Sequence, residues 1–153
     1  MIILPFAYVL LFGAPYLPTR KAQVKQALDL LNLKKGELLL DLGSGDGTVL
    51  VEAAKRGIQC IGYELNPLVF AVAYLRVWRY RKLVELRLKN FWRQPIPPET
   101  KGIFVFLLDK YMTKLDKKLK SEAPKGTKVV SYTFIIPSKK AKSSNQALSL
   151  YQY

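Results

Sequence analysis

Apolar and polar positions change period repeatedly along this chain, and each change marks an element. Between Gln23 and Leu33, the residues Val24, Ala27, Leu28 and Leu31 recur at helical spacing, with Thr19 as a fair N-cap and Gly36 just past the end. Leu38 to Leu42 has the apolar character of a strand buried on both faces. Thr48 to Arg56 predicts a helix with Gly57 as its stop signal, and Ile58 to Tyr63 a second strand. Pro67 suits the first turn of another helix, which runs to about Tyr80 and puts Trp78 at a core position. Val84 to Leu88 alternates with charged residues as a third strand.

The second half repeats the theme. "QPIPPETK", Gln94 to Lys101, is a loop, and Ile103 to Leu108 is a fourth buried strand. Tyr111 to Lys120 is helical, with Met112, Leu115 and Leu119 on one face and lysines on the other. "APKG" is a turn, Lys128 to Ile136 a fifth strand, and "PSKKAKSSNQ" a mobile loop. Ala147 to Tyr153 closes the sheet as a last edge strand. Strands alternating with helices argue for an open parallel α/β sheet, with ligands at the carboxyl ends of the strands near the switch point. No internal repeat is present, and 153 residues suffice for one domain.

Composition narrows the chemistry. Lys and Arg number 25 against 11 Asp and Glu, a net charge of +14, which favours an anionic partner, nucleic acid or lipid. There is no histidine, which removes the commonest general base and the commonest metal ligand; no metal is expected. Cys60 is alone, so no internal disulfide forms, and a reducing, intracellular compartment is expected.

Residues 1–19 carry no charged side chain, but the strongly apolar part, Ile2 to Phe12, is shorter than the about 20 residues that span a bilayer. Pro5, Gly13, Pro15 and Pro18 work against a long straight helix. Residues 1–15 are therefore expected to be either a membrane anchor or an apolar strip covering the domain, with Arg20 and Lys21 on the headgroup side of any anchor.

The candidate site lies where the first strand ends, at "DLGSGDG", Asp41 to Gly47. Alternating glycines let a backbone turn sharply with a ligand against it, and the helix that follows favours a negative group at its N-terminus. Asp41 can accept hydrogen bonds from an ammonium. A dinucleotide site would have its third glycine one residue later, where Thr48 stands, and Asp41 would repel a pyrophosphate. Glu64 ends the second strand, where a carboxylate can take both hydroxyls of a ribose. A nucleoside carrying an amino acid, S-adenosyl-L-methionine, meets all three requirements.

At these residues the chain resembles the class I, seven-strand methyltransferases, whose first and second motifs are matched by "DLGSGDG" and "GYELNP". With "APYLPTRKAQVKQALDLL", "NFW" and "VVSYTFIIP" it resembles a narrower family, the protein-lysine methyltransferases of the adenine nucleotide translocase and of the ATP synthase c-subunit with their compact prokaryotic relatives. The resemblance runs from about Ala14 to Tyr153 and implies a methyltransferase domain over residues 16–153. It implies a Rossmann-like sheet with helices on both faces and a shortened C-terminal part. It further implies transfer of a methyl group from S-adenosyl-L-methionine to a lysine amine of a protein substrate, in a prokaryotic cytoplasm.

By that similarity Asp41, Gly43, Ser44, Gly45 and Asp46 would line the methionine part, Glu64 would hold the ribose, and Leu65 would pack on the adenine. Asn90 and Phe91 would meet the adenine edge, although relatives more often have Asp in place of Asn90. Tyr16 to Thr19 either fold over the cofactor carboxylate or, for Tyr16, form plain surface. Relatives often carry Pro where Asp109 stands and an aromatic where "PSKKAK" stands, so substrate choice does not carry over.

Beyond the fourth strand, the carbonyls of Leu107 and Leu108 can orient an amine, Tyr111 can line a channel, and Asp109 can accept a proton or attract a lysine. Equally, Tyr111 suits a helix-face core position and Asp109 an N-cap. Methylation of nucleic acid is the runner-up activity, supported by the charge but not by any Asn/Asp-Pro-Pro-aromatic sequence after the fourth strand. A non-catalytic, membrane-associated cofactor-binding protein is a third, with Arg76, Arg79 and Arg81 as lipid contacts.

Overall fold

The sheet grows outward from β1 (Leu38–Leu42), all five residues of which are buried. In the computed structural model, which describes residues 19–145 and 147–153, β1 pairs in parallel with β2 (Gln59–Glu64) on one side and β4 (Thr100–Val105) on the other. β2 pairs in parallel with β3 (Val84–Leu88), and β4 with β5 (Lys128–Tyr132). β7 (Leu148–Gln152) then runs antiparallel to β5, and β6 (Ser143–Asn145) antiparallel to β7. The order is β3-β2-β1-β4-β5-β7-β6, so strand order reverses between β1 and β4, where a crevice opens at the carboxyl ends.

Helices cover both faces because β1 and β4 present apolar side chains in both directions. On one face α1 (Lys21–Leu31) and α2 (Thr48–Lys55) bury Val24, Leu28, Leu50 and Ala53 against Leu39, Phe104 and Val130. α3 (Pro67–Val77) joins this layer through Val77. On the other, α4 (Met112–Glu122) packs Met112, Leu115 and Leu119 on Leu40, Ile103 and Val105. The C-terminal part is short: no helix lies between β5 and β6 among the described residues. Asp116 pins that region, accepting hydrogen bonds from Lys120 Nζ at 2.6 Å, Ser138 Oγ at 2.5 Å and Tyr153 Oη at 2.6 Å.

Cys60 sits inside the sheet, 2 % exposed. Burial, reinforced by the negative charge of Asp41, pushes its thiol up to about 12.

Several expectations change. The sheet is mixed, since β7 alone runs against the other strands, and β7 lies inside it with β6 at the edge. β6 itself falls within the expected loop "PSKKAKSSNQ". β5 stops at Tyr132 instead of Ile136 because Thr133 takes φ 74° and Ser131 Oγ donates to the Phe134 carbonyl, closing a turn. β4 runs from Thr100 to Val105 instead of Ile103 to Leu108. The N-cap of α1 is Arg20, with no side-chain capping bond, so Thr19 does not cap it; the helix ends earlier than Gly36, at Asn32 in the left-handed region. Trp78 is not core: it is half exposed, in a short 3-10 turn (Trp78–Tyr80) that follows α3.

Candidate functional site

The tip of β1 carries an unusual carboxylate. Asp41 is 1 % exposed, and neither of its oxygens has a hydrogen-bond partner among the described residues. Burial pushes its carboxyl well above the usual carboxylate range, and the charges of Glu64 and Asp46 push the same way. A buried ionised acid without a partner is costly, so this position calls for a cationic or hydrogen-bond-donating group.

Beyond Asp41 the chain turns at Gly43, with φ 98°. The N–H groups of Gly43 and Ser44 donate to the Tyr63 carbonyl at 3.1 and 2.8 Å, which holds the turn against β2. A Cβ on Gly43 would meet nothing within 4 Å, so the outer side of the turn is open. Gly47 serves packing instead: a Cβ there would come within 3.1 Å of Val77 and 3.4 Å of Ala73, where α3 crosses.

Glu64 stands at the tip of β2. Its Oε2 accepts from Gly45 N at 2.9 Å, and its Oε1 from Leu65 N at 2.8 Å and Asn66 N at 2.7 Å. Burial raises its carboxyl and outweighs the lowering by those three N–H donors. Oε1 is filled by its two donors, and Oε2 keeps a further lone pair for a hydroxyl donor.

Asp46 is differently engaged. Its Oδ1 accepts from Thr48 N at 3.1 Å and Thr48 Oγ1 at 2.8 Å, and its Oδ2 takes Arg76 of α3. The N-terminus of α2, expected to meet a ligand's carboxylate, thus holds Asp46 itself. Burial works upward on this group, but the Thr48 hydrogen bonds and Arg76 hold it below the usual range.

The remaining expected cofactor residues within the described part follow β2 or β3 or precede α1. Leu65 is half-buried between Glu64 and Asn66, whose side chain caps α3 by accepting from Leu68 N and Val69 N. Asn90 Oδ1 accepts from Trp92 N at 3.0 Å, capping the 3-10 turn Phe91–Arg93. Phe91 is buried, with its ring centroid 4.5 Å from that of Trp92. Thr19 is half-buried, and Tyr16 lies outside the described residues.

Asp109 and Tyr111 form a 3-10 turn after β4; Asp109 is exposed, and Tyr111 packs beside Trp92 with ring centroids 6.2 Å apart. The Leu108 carbonyl accepts from Tyr111 N at 2.9 Å and so is already engaged in that turn.

Two contacts escape sequence reasoning. Arg76 is thirty positions from Asp46, and nothing local announces the pair. Phe106 and Tyr132 meet edge to face at 4.9 Å, on the strand ends just past the paired residues Val105 and Ser131.

A family described as "ANTKMT methyltransferase domain" matches residues 41–143, which begin at Asp41 and take in every strand from β2 to β5. The chain belongs to that family. Similar proteins include the ATP synthase c-subunit lysine N-methyltransferase of Xenopus laevis, 32% identical over 125 residues that cover 80% of this chain and 54% of that protein. The adenine nucleotide translocase lysine N-methyltransferase of Mus musculus is 35% identical over 126 residues, 80% of this chain and 54% of that one. A protein-lysine N-methyltransferase of Saccharolobus islandicus is 30% identical, covering 80% of this chain and 78% of its own length. The chain thus spans about half the length of these two animal family members.

Among solved structures, an RNA methyltransferase from Salinibacter ruber in complex with S-adenosyl-L-homocysteine superposes with a TM-score of 0.82. It is 27% identical, and the match covers 90% of this chain and 92% of that one. A methyltransferase from Thiobacillus denitrificans with the same ligand, at 17% identity and a TM-score of 0.67, shares the fold.

Proposed function

We propose that this chain is an S-adenosyl-L-methionine-dependent protein-lysine N-methyltransferase. The observation that carries the reading is Asp41: a buried carboxylate, unpartnered among the described residues, beside the open side of the Gly43 turn. It suits the ammonium of an amino-acid ligand, and Glu64 suits the ribose hydroxyls of the same molecule. Gly43, Ser44, Gly45 and Leu65 would line its path, with Asn90, Phe91, Thr19 and Tyr16 at its margins. Lysine as the acceptor rests on the named activities of the related proteins.

The donor supplies an already activated methyl group on a sulfonium, so the protein's contribution is position. A lysine amine titrates near 10.4, and holding it neutral at pH 7 costs roughly 4 to 5 kcal/mol. A desolvated path lowers that cost. Tyr111, packed beside Trp92, lines the approach after β4, and exposed Asp109 draws in the lysine and can accept its proton. No histidine is needed for this chemistry.

In this reading residues 16–153 form the methyltransferase domain, working inside the cell, and residues 1–15 precede it as an apolar segment. No helix among the described residues is long and apolar enough to cross a bilayer.

A second reading, RNA methylation, draws on the charge of +14 and on the named activity of the Salinibacter ruber protein. Tritium transfer from labelled donor onto mixed protein, RNA and DNA with one enzyme preparation separates the two. Methyl-lysine in the protein hydrolysate is expected; label in nucleic acid alone overturns the lysine reading.

A further inference from the structure

α3 is apolar on the wrong side. Its inward face is small, with Ala73 and Val77 buried where the helix crosses Gly47. The outward face carries Leu68, Val72, Leu75 and Trp78, spaced by four and three residues and therefore aligned in one stripe, with Tyr74 on its flank. Their exposures are 67%, 52%, 77%, 50% and 45% in the order named, so this is a contiguous apolar surface, not scattered side chains. A helix apolar all round is normally covered on every side.

The rim of the stripe identifies the cover. From Leu65 to Val84 there is no acidic residue. Arg79 and Lys82 are exposed and form no ion pair among the described residues, and Arg81 lies over the Trp78 ring with its guanidinium carbon 4.9 Å from the centroid. A second copy of this chain would bring the same cations face to face across the contact. Leucines in the centre, Tyr and Trp at the margin and unpaired basic residues beyond them match the layers of a bilayer interface bearing anionic headgroups. We propose that the outward face of α3 docks the protein on an anionic membrane surface, independently of residues 1–15. Because α3 starts just after its N-cap Asn66, two residues beyond Glu64, such docking holds the crevice beside the membrane.

The test uses the full chain and vesicles of phosphatidylcholine with or without about a third phosphatidylserine. The wild type is expected to float with the anionic vesicles and weakly with the neutral ones, and Trp78 emission to shift to the blue. The shift should vanish in Trp78→Phe. Leu75→Glu, and separately Arg79→Glu with Lys82→Glu, should each lower the vesicle partition coefficient about tenfold, equivalent to about 1.4 kcal/mol. Leu10→Glu, in the segment before the domain, should bind as wild type. Affinity for S-adenosyl-L-methionine by calorimetry should stay unchanged in all of them, so failure of docking and failure of the methyl-transfer reading are separate results. Three outcomes overturn the proposal: no binding by the wild type, binding lost in Leu10→Glu but kept in the α3 variants, or a wild-type dimer that Leu75→Glu splits in light scattering.

Discussion

Gly45 donates its backbone N–H to Oε2 of Glu64 at 2.9 Å, tying the glycine turn after β1 to the tip of β2. Oε1 of the same carboxylate takes the Leu65 and Asn66 N–H groups, so both oxygens face donors. Glutamine at this position must turn its NH2 toward one of those donors and leave it unsatisfied. Glu64→Gln should therefore weaken binding of S-adenosyl-L-methionine by roughly 10- to 100-fold, about 1.4 to 2.7 kcal/mol. Glu64→Ala should abolish it. Titration calorimetry checks both, and unchanged affinity in the alanine variant removes the ribose assignment.

Asp41 carries a raised pKa in the folded chain, so the native state holds its proton more tightly than the unfolded state does. The resulting penalty is absent below the unfolded value of about 3.9 and grows as pH rises toward the folded value. It is complete above that value. Asp41→Asn should accordingly stabilise the ligand-free protein at pH 8 by about 1–3 kcal/mol, with the gain shrinking toward pH 4. The same change deletes the negative charge offered to an ammonium, and binding of the nucleoside should fall about 100-fold. Thermal melts over pH combined with calorimetry would show stability and affinity moving in opposite directions. A variant less stable than wild type at pH 8 would contradict the assignment.

Asp46 has the reverse sign. Its pKa is lowered, so its contribution is present above the unfolded value and is lost as pH falls through the lowered folded one. Since Arg76 is partly exposed, its share is discounted for solvent screening. Asp46→Asn should cost about 0.5–1.5 kcal/mol at pH 7, a cost that shrinks as pH falls below the unfolded value of about 3.9, as read by urea unfolding across that range.

Asp109 is exposed in the turn after β4. If it attracts the incoming lysine, Asp109→Asn should raise KM for the protein substrate about three- to tenfold at low salt, with kcat and cofactor affinity held. Steady-state kinetics at two salt concentrations would show it, and a fall in kcat with constant KM would move Asp109 into the chemical step itself.

The strands β1 and β3 are legible to the residue, because burial on both faces and strict alternation each leave a plain pattern. β6 is not: Ser143, Ser144 and Asn145 are polar and exposed, and only their pairing with β7 makes them a strand. Leu107 extends an apolar run past the end of β4 because it is buried in the second core after leaving the sheet, and composition cannot mark that exit. Trp78 misleads because α3 is apolar all round, so its period does not say which face is inside. At the site, the acids at two strand ends are visible in the chain, whereas the isolation of Asp41 and the reach of Arg76 to Asp46 exist only once it is folded.

The sulfur of Cys60, enclosed by the sheet and reluctant to ionise, has a practical consequence. Thiol reagents act on the thiolate, so the folded molecule should behave toward maleimides as though it had no cysteine. One cysteine introduced on the α3 stripe would then be the sole attachment point for a fluorophore or spin label, turning a residue with no part in the chemistry into the reason the membrane question can be answered at a single position.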